Sequence, residues 1–327
     1  MTNDKDLLTV RNLVVEYFSN QRPLSGEKLK VRAVNDISFG LKRGETLGIV
    51  GESGCGKTST ALAILKMIDS TSGEILFDQI SISSLNKRKF RPLRQKLQMI
   101  YQDPFGALNP RMAVRDIVGE PLKAHKKVRN RKDYDSKIDE TLEIVGLSRE
   151  MGKRYPHEFS GGQRQRIGIA RAIILKPDLI VCDEPVSALD VSIQAQIINL
   201  LEQLQQDFNI AYLFIAHDLA VVQHISHKVI VMYLGKIVEM ASREELYESP
   251  KHPYTQALLS AIPIPSPDLE ATREIKMLEG EIPSPLNPPS GCSFHNRCPL
   301  SKPECTKNSP KTTKITNSHS VACHLYS

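Results

Sequence analysis

The chain has 327 residues, of which 40% are hydrophobic and 24% charged, with a net charge of +6. This is a globular composition, long enough for one large domain with an appendage or for two domains, and it excludes a disordered chain. The modest positive excess permits contact with nucleic acid, an anionic membrane or a polyanionic ligand without choosing among them. No apolar run approaches the roughly 18 residues that span a bilayer, and Met1 to Asp6 lack the basic and apolar regions of a signal peptide. The expectation is a soluble, cytosolic chain whose membrane role, if any, runs through partner chains.

Leu7 to Tyr17 read as a β-rich start, a polar looping insert runs from Ser19 to Lys30, and a second strand pattern, Val31 to Leu41, ends at the turn Lys42-Arg43-Gly44-Glu45. Tyr17 reads as sheet surface or core, or as a flat ring able to stack on a base. Thr46 to Val50 suit a buried parallel strand and Ser59 to Met67 a helix. Between them, Gly51-Glu52-Ser53-Gly54-Cys55-Gly56-Lys57-Thr58 matches G-x-x-x-x-G-K-[ST] at every fixed position. Glycines there let successive N–H groups and the positive end of the next helix meet phosphate charge. Lys57 is expected to reach the β and γ phosphates, and the Thr58 hydroxyl to reach Mg²⁺.

Gly73 to Asp78 read as strand and turn, and after the basic segment Lys87 to Arg91 a further strand, Leu97 to Gln102, ends in a polar residue. Open α/β sheets place ligands at such strand ends, although a strand-terminal Gln is ordinary on its own. From Pro104 to Pro156 the chain turns helical and charged, a separate lobe whose basic run Lys126 to Lys132 reads as a solvated face, since no aromatics interleave with it. Phe159-Ser160-Gly161-Gly162-Gln163 then opens a helix that Ser160 can cap, either an ordinary capped helix or a second anion-seeking terminus. The apolar strand Leu179 to Glu184 ends in two carboxylates that should point to opposite faces. Asp183 suits a magnesium ligand and Glu184 is placed to orient or deprotonate water. After Ser187-Ala188-Leu189-Asp190 come a helix from about Ser192 to Gln206 and a strand leading to His217, the third polar strand terminus of the series. Val229 to Glu239 read as a hairpin, and the core ends near Pro250. Beyond it, prolines at 253, 263, 265, 267, 283, 285, 288 and 289 forbid long helices and predict an extended tail. Of six cysteines, four crowd into the end: Cys292, Cys298, Cys305 and Cys323. In a reducing cytosol that cluster suggests a metal site before disulfides.

Taken in order, the phosphate loop, Gln102, Ser160-Gly161-Gly162-Gln163, Asp183-Glu184, Ser187 to Asp190 and His217 resemble the nucleotide-binding subunits of ABC transporters. Tyr101 to Pro110 and His252-Pro253-Tyr254-Thr255 resemble the oligopeptide/dipeptide permease ATPases, and the Gly-Cys-Gly loop with Leu108 to Met112 resembles the F-type member of their D/F pair. The resemblance implies an α/β P-loop NTPase with a RecA-like core, an antiparallel β subdomain, and a helical subdomain over about 104–176. It implies an ATP-binding domain over 1–250 and an extension over 251–327. ATP would be held by Tyr17, Gly51, Glu52, Ser53, Gly54, Cys55, Gly56, Lys57, Thr58, Ser59 and Gln102, with Mg²⁺ on Thr58, Gln102 and Asp183. Glu184 would be the general base and His217 the γ-phosphate sensor. Ser160, Gly161, Gly162 and Gln163 would meet a partner's ATP, and Asp190 would link the two sites. The partners would be a second, D-type ATPase in a head-to-tail heterodimer, two transmembrane permease subunits and an extracytoplasmic binding protein, at the cytoplasmic face of the membrane, with no nucleic acid. Some family members hold a [4Fe–4S] cluster on four such cysteines. The spacings differ from the tight pairs of ordinary zinc sites, and zinc, with His295 or His324, and free thiols stand as alternatives to the cluster. The rival functions are a soluble ABC ATPase acting on nucleic acid or ribosomes, and an importer of another solute such as a metal chelate.

Overall fold

A computed structural model describes residues 5–18, 30–263 and 278–327. The insert expected from Ser19 falls, but for Lys30, outside the described residues, as do Pro265 and Pro267. The chain divides into two compact units.

The first unit comprises Met1–Leu8, Leu41–Thr46 and Phe77–Ile215. Its strands Leu97–Ile100, Leu179–Asp183 and Ala211–Ile215 pair in parallel in that order, Ile100 opposite Cys182 and Asp183 opposite Ile215. Every residue of the last two strands is buried, as their unbroken apolar runs require of a sheet covered on both faces. The lobe predicted after Pro104 contains the helices Pro104–Ala107, Val114–Ala124 and Arg131–Ile144. In the second of these, Val114, Ile117, Val118 and Leu122 recur at helical spacing and are buried together. In the third, the Asn130 side chain accepts the Asp133 N–H at 2.9 Å, and Tyr134, Ile138 and Leu142 form the inner face. The basic run before it is mostly exposed, with Arg131 paired to Asp135 at 2.9 Å, as a solvated face should be. Helices Gly161–Ile173 and Val191–Phe208 complete this unit.

The second unit comprises Thr9–Gly40, Leu47–Leu76 and Ala216–Ser327. Lys30–Leu41, Leu8–Phe18 and Ser72–Phe77 form adjacent strands in that order. A further sheet segment runs Thr312–Lys314, Ser320–Ala322, Lys236–Ser242, Lys228–Tyr233 and Thr46–Val50. Leu47 to Val50 lie parallel to Lys228 to Val231, and the predicted hairpin is present, turning on Leu234 and Gly235 at φ 43° and 78°. Two positive φ values in a two-residue loop match the twist of the flanking strands. The extension joins this sheet through Val321 opposite Glu239, which the sequence pattern does not suggest.

Four expectations are corrected. The helix after the phosphate loop is Lys57–Ile64, beginning two residues early because Gly56, left-handed at φ 104°, is its N-cap. Glu184 lies outside its strand, which stops at Asp183; the backbone turns there at φ 46°, so the two carboxylates diverge through a bend rather than by strand alternation. Gln102 and His217 each sit two residues past a strand end. Pro253 starts a helix, Pro253–Ser260, at the first position, where its missing N–H costs nothing.

Candidate nucleotide site

The phosphate loop is built by glycines where other residues cannot stand. Gly51 and Gly56 have φ of 149° and 104°, and a Cβ on either would lie 2.2 Å from a backbone carbonyl oxygen, of Met232 and Ala33 respectively. Gly54, at φ 78°, has open space where its Cβ would be. The helix that follows has no side-chain cap, so its first N–H groups are left for an anion. Lys57 is buried and folds over the loop, its Nζ donating to the carbonyl oxygens of Gly51 at 2.6 Å and Glu52 at 3.2 Å. Those are bonds an arriving phosphate can replace. Cys55 is buried, and desolvation raises its thiol pKa, which makes it packing rather than a nucleophile. Its carbonyl oxygen accepts the Gly235 N–H at 2.9 Å, so the hairpin turn supports the loop. The Tyr17 hydroxyl donates to Ser59 Oγ at 3.2 Å, with the ring 40% exposed and able to meet a flat ligand. Thr58 is exposed, as is His217. The residue before His217, Ala216, donates its N–H to Ile49 O at 3.2 Å, which carries the imidazole to the end of the strand that feeds the loop.

A residue that sequence reasoning missed touches the same loop. Arg297, in the extension, grips the Glu52 carboxylate with both guanidinium arms, Nη1 to Oε2 at 2.7 Å and Nη2 to Oε1 at 3.1 Å. The Glu52 N–H donates to the Tyr254 hydroxyl at 2.9 Å. Tyr254 packs edge-on against Tyr233 at 4.8 Å and against Phe294 at 5.4 Å, and its helix is capped by buried His252, whose Nδ1 accepts the Tyr254 N–H at 3.1 Å. Burial lowers the His252 pKa to about 4. Nearby, Glu239 is wholly buried and accepts from the N–H groups of Lys251 and His252 while pairing with His319 Nε2 at 2.7 Å. The only hint in the chain was a charged residue, Glu52, inside a loop that binds anions.

In the first unit, Gln102 Nε2 donates to Glu184 Oε2 at 2.8 Å, joining two residues that the sequence placed on separate strands. Asp183 is buried at the neighbouring strand end. Glu184 holds a left-handed backbone that costs a non-glycine residue about 1 kcal/mol, and the loop after it steadies that bend: Ser187 Oγ donates to Glu184 O at 3.1 Å. Ser160 and Gln163 form a capping box, the Gln163 N–H donating to Ser160 Oγ at 3.4 Å and the Ser160 N–H to Gln163 Oε1 at 3.1 Å. Gly161 and Gly162 pack closely; a Cβ on Gly162 would meet Ile193 Cγ2 at 2.5 Å. Asp190 is the N-cap residue of the helix Val191–Phe208.

None of the four terminal cysteines is in a disulfide. Burial raises the pKa of Cys292, Cys298 and Cys323, and neighbouring thiols of the same four raise each further. Among the described residues no group of three or more His, Cys, Asp or Glu side chains is arranged to hold a metal ion. The ring nitrogens of His295 and His324 face carbonyl oxygens, Cys292 O and Asn308 O, each at 2.8 Å.

A phosphate loop and an acid, Asp183, at the end of a buried strand are the parts of a P-loop nucleoside triphosphatase. Residues 34–187 match the ABC transporter family and residues 238–305 match the oligopeptide/dipeptide transporter C-terminal region. The chain is 53% identical to the oligopeptide transport ATP-binding protein AppF of Bacillus subtilis over 99% of each chain. It is 52% identical to OppF of Escherichia coli over 90% of this chain and 87% of that one. The dimeric post-hydrolysis ATP-binding cassette MJ0796 with ADP and Pi has the same fold, at TM-score 0.65 and 24% identity over 72% of this chain and 98% of that one. The chain belongs to the ABC transporter ATP-binding subunits, in their oligopeptide/dipeptide branch and of the F type. It is an ATPase.

Proposed function

We propose that this chain hydrolyses ATP to drive a binding-protein-dependent importer of di- or oligopeptides. The observation that carries this is the presence in one chain of a phosphate loop and the oligopeptide/dipeptide C-terminal region. No helix among the described residues is long and apolar enough to cross a membrane, so translocation falls to two permease subunits, with a binding protein delivering the peptide. A D-type ATPase completes the head-to-tail pair, and the chain sits peripherally at the cytoplasmic face. The working division is an ATP-binding domain over 1–250 and an extension over 251–327.

Residue roles follow the motifs. Gly51 to Ser59 hold the phosphates, and Tyr17 stacks on adenine. The hydroxyl of Thr58, the amide oxygen of Gln102 and the carboxylate of Asp183 are all oxygen donors, a set that fits Mg²⁺. Mg²⁺ would offset charge on the β and γ phosphates. Glu184 takes a proton from the attacking water, and Gln102 Nε2 bonds its Oε2. His217 meets the γ-phosphate. Ser160 to Gln163 contact the partner's ATP, and Asp190 joins the two sites. Glu184→Gln should keep ATP binding and slow hydrolysis by about 10²- to 10⁴-fold, read by single-turnover phosphate release. Undiminished turnover would remove Glu184 from the role of base.

For the extension we favour a [4Fe–4S] cluster on Cys292, Cys298, Cys305 and Cys323. Four thiols within one short extension are the donor set such a cluster takes, and thiols must ionise to bind it. Iron analysis and visible absorption of anaerobically purified protein test this; zinc, or no metal, would overturn it. The transport reading is tested by purification from native membranes in mild detergent. A second ATPase and two polytopic chains should co-purify, and recovery of ribosomes or nucleic acid instead would end it.

A further inference from the structure

The extension does more to the phosphate loop than pack near it. Glu52 puts a carboxylate inside a loop whose other groups are arranged to receive a polyanion, and a carboxylate beside a triphosphate repels it. In this structure that charge is met by Arg297, whose side chain is only 7% exposed, through a two-armed bond of the kind that gives the strongest and most directional ion pairs. A guanidinium is charged at any working pH. The same residue is held at its N–H by the Tyr254 hydroxyl and at its carbonyl by Lys57 Nζ. All three polar groups of Glu52 are thus committed, two of them to residues that follow the hairpin in the chain.

We infer that Arg297 is a positioning residue for ATP: by neutralising Glu52 it makes the phosphate loop competent to bind, so that nucleotide affinity depends on the extension being docked. Arg297 ends the short 3₁₀ turn His295–Arg297, which lies between Cys292 and Cys298, while Phe294 at its start packs against Tyr233 at 5.2 Å. The turn is therefore fixed on both sides, and Arg297 carries its position to the loop. Nothing in the phosphate-loop pattern calls for an arginine 245 residues away.

A brace and a charge shield predict different outcomes. If the pair merely braces the loop, losing either partner should weaken ATP binding alike. If Arg297 shields Glu52, the two losses should act in opposite directions, since removing Glu52 removes the repulsion. ATP affinity is measured on the full-length chain with a fluorescent ATP analogue, alongside thermal melting. Arg297→Met should weaken binding about tenfold, Glu52→Gln should tighten it about threefold, and the double variant should return to within about threefold of the parent. The Arg297→Met defect should also shrink as salt is raised. Equal weakening by both single variants, or no rescue in the double, would overturn the inference. If Arg297→Met does not fold, Glu52→Gln decides alone: tighter binding supports the shield, and unchanged or weaker binding overturns it. Because the readout is ATP binding by this chain, a failed import assay would leave it untouched.

Discussion

Two helix N-termini in this chain carry glycine-rich turns, and they are finished in different ways. At Gly51 to Lys57 the helix has no side-chain cap, its N-cap is a left-handed glycine, and Lys57 is folded onto carbonyls of the same loop. At Ser160 to Gln163 the helix is closed by its own capping box. The first end has donors without acceptors and seeks an anion. The second has already satisfied two of its donors, so an anion there adds to a finished cap rather than completing it. The first is also braced from outside by the hairpin turn, Tyr254 and Arg297, whereas the second rests on its own side chains and on Leu189 and Ile193 beneath its glycines. On the roles proposed above, a phosphate loop that binds this chain's ATP and a signature that meets a partner's call for these two degrees of completeness.

The sharpest way to break this contrast is at the glycines. Gly56→Ala places a Cβ 2.2 Å from Ala33 O at φ 104°, where neither backbone can give way. It should cost about 3 kcal/mol in stability and weaken ATP binding by about 100-fold or more, seen in melts and nucleotide titration. Gly54→Ala should cost only about 1 kcal/mol, since φ 78° is strained for alanine but its Cβ meets nothing. Similar losses for the two would mean that conformation alone, not close approach, governs the loop.

The brace should respond to pH, and the capping box should not. His252 is neutral in the fold, with its pKa lowered by burial to about 4 from a usual 6.5. Between those values the unfolded chain binds a proton that the folded chain refuses. The stabilising contribution is therefore whole above about pH 6.5 and is lost as pH falls toward 4, by up to about 3 kcal/mol. His252→Asn keeps an acceptor for the Tyr254 N–H without a titrating ring, and should flatten the fall in melting temperature between pH 7 and 5. An unchanged slope would assign the acid sensitivity to another group.

How much of this could be read from the chain follows from the range of each interaction. The phosphate loop, the Ser160 cap and the hairpin were legible because each depends on residue types a few positions apart. Glu184 was recognisable as an acid but not as a bend, because the apolar run before it gives no sign of where pairing stops; its geometry is set by the Ile215 carbonyl that accepts its N–H at 2.9 Å. Gln102 meeting Glu184, Arg297 meeting Glu52 and Val321 pairing with Glu239 all join distant positions. None leaves a local pattern, and the prolines and cysteines of the extension drew attention to a tail and a metal rather than to an arginine between them.

The smallest expected effect tests the second helix end by itself. Ser160→Ala removes the acceptor for the Gln163 N–H and unfastens the reciprocal bond, a loss of about 1 kcal/mol that melts should register. If the signature serves a partner's nucleotide, ATP affinity of the isolated chain should not change, while hydrolysis by the assembled transporter should fall. If it belongs to this chain's own site, the isolated chain should lose affinity as well. In that case the box at Ser160 would be an empty half of one phosphate site, and the difference between the two helix ends would be one of occupancy rather than of partner.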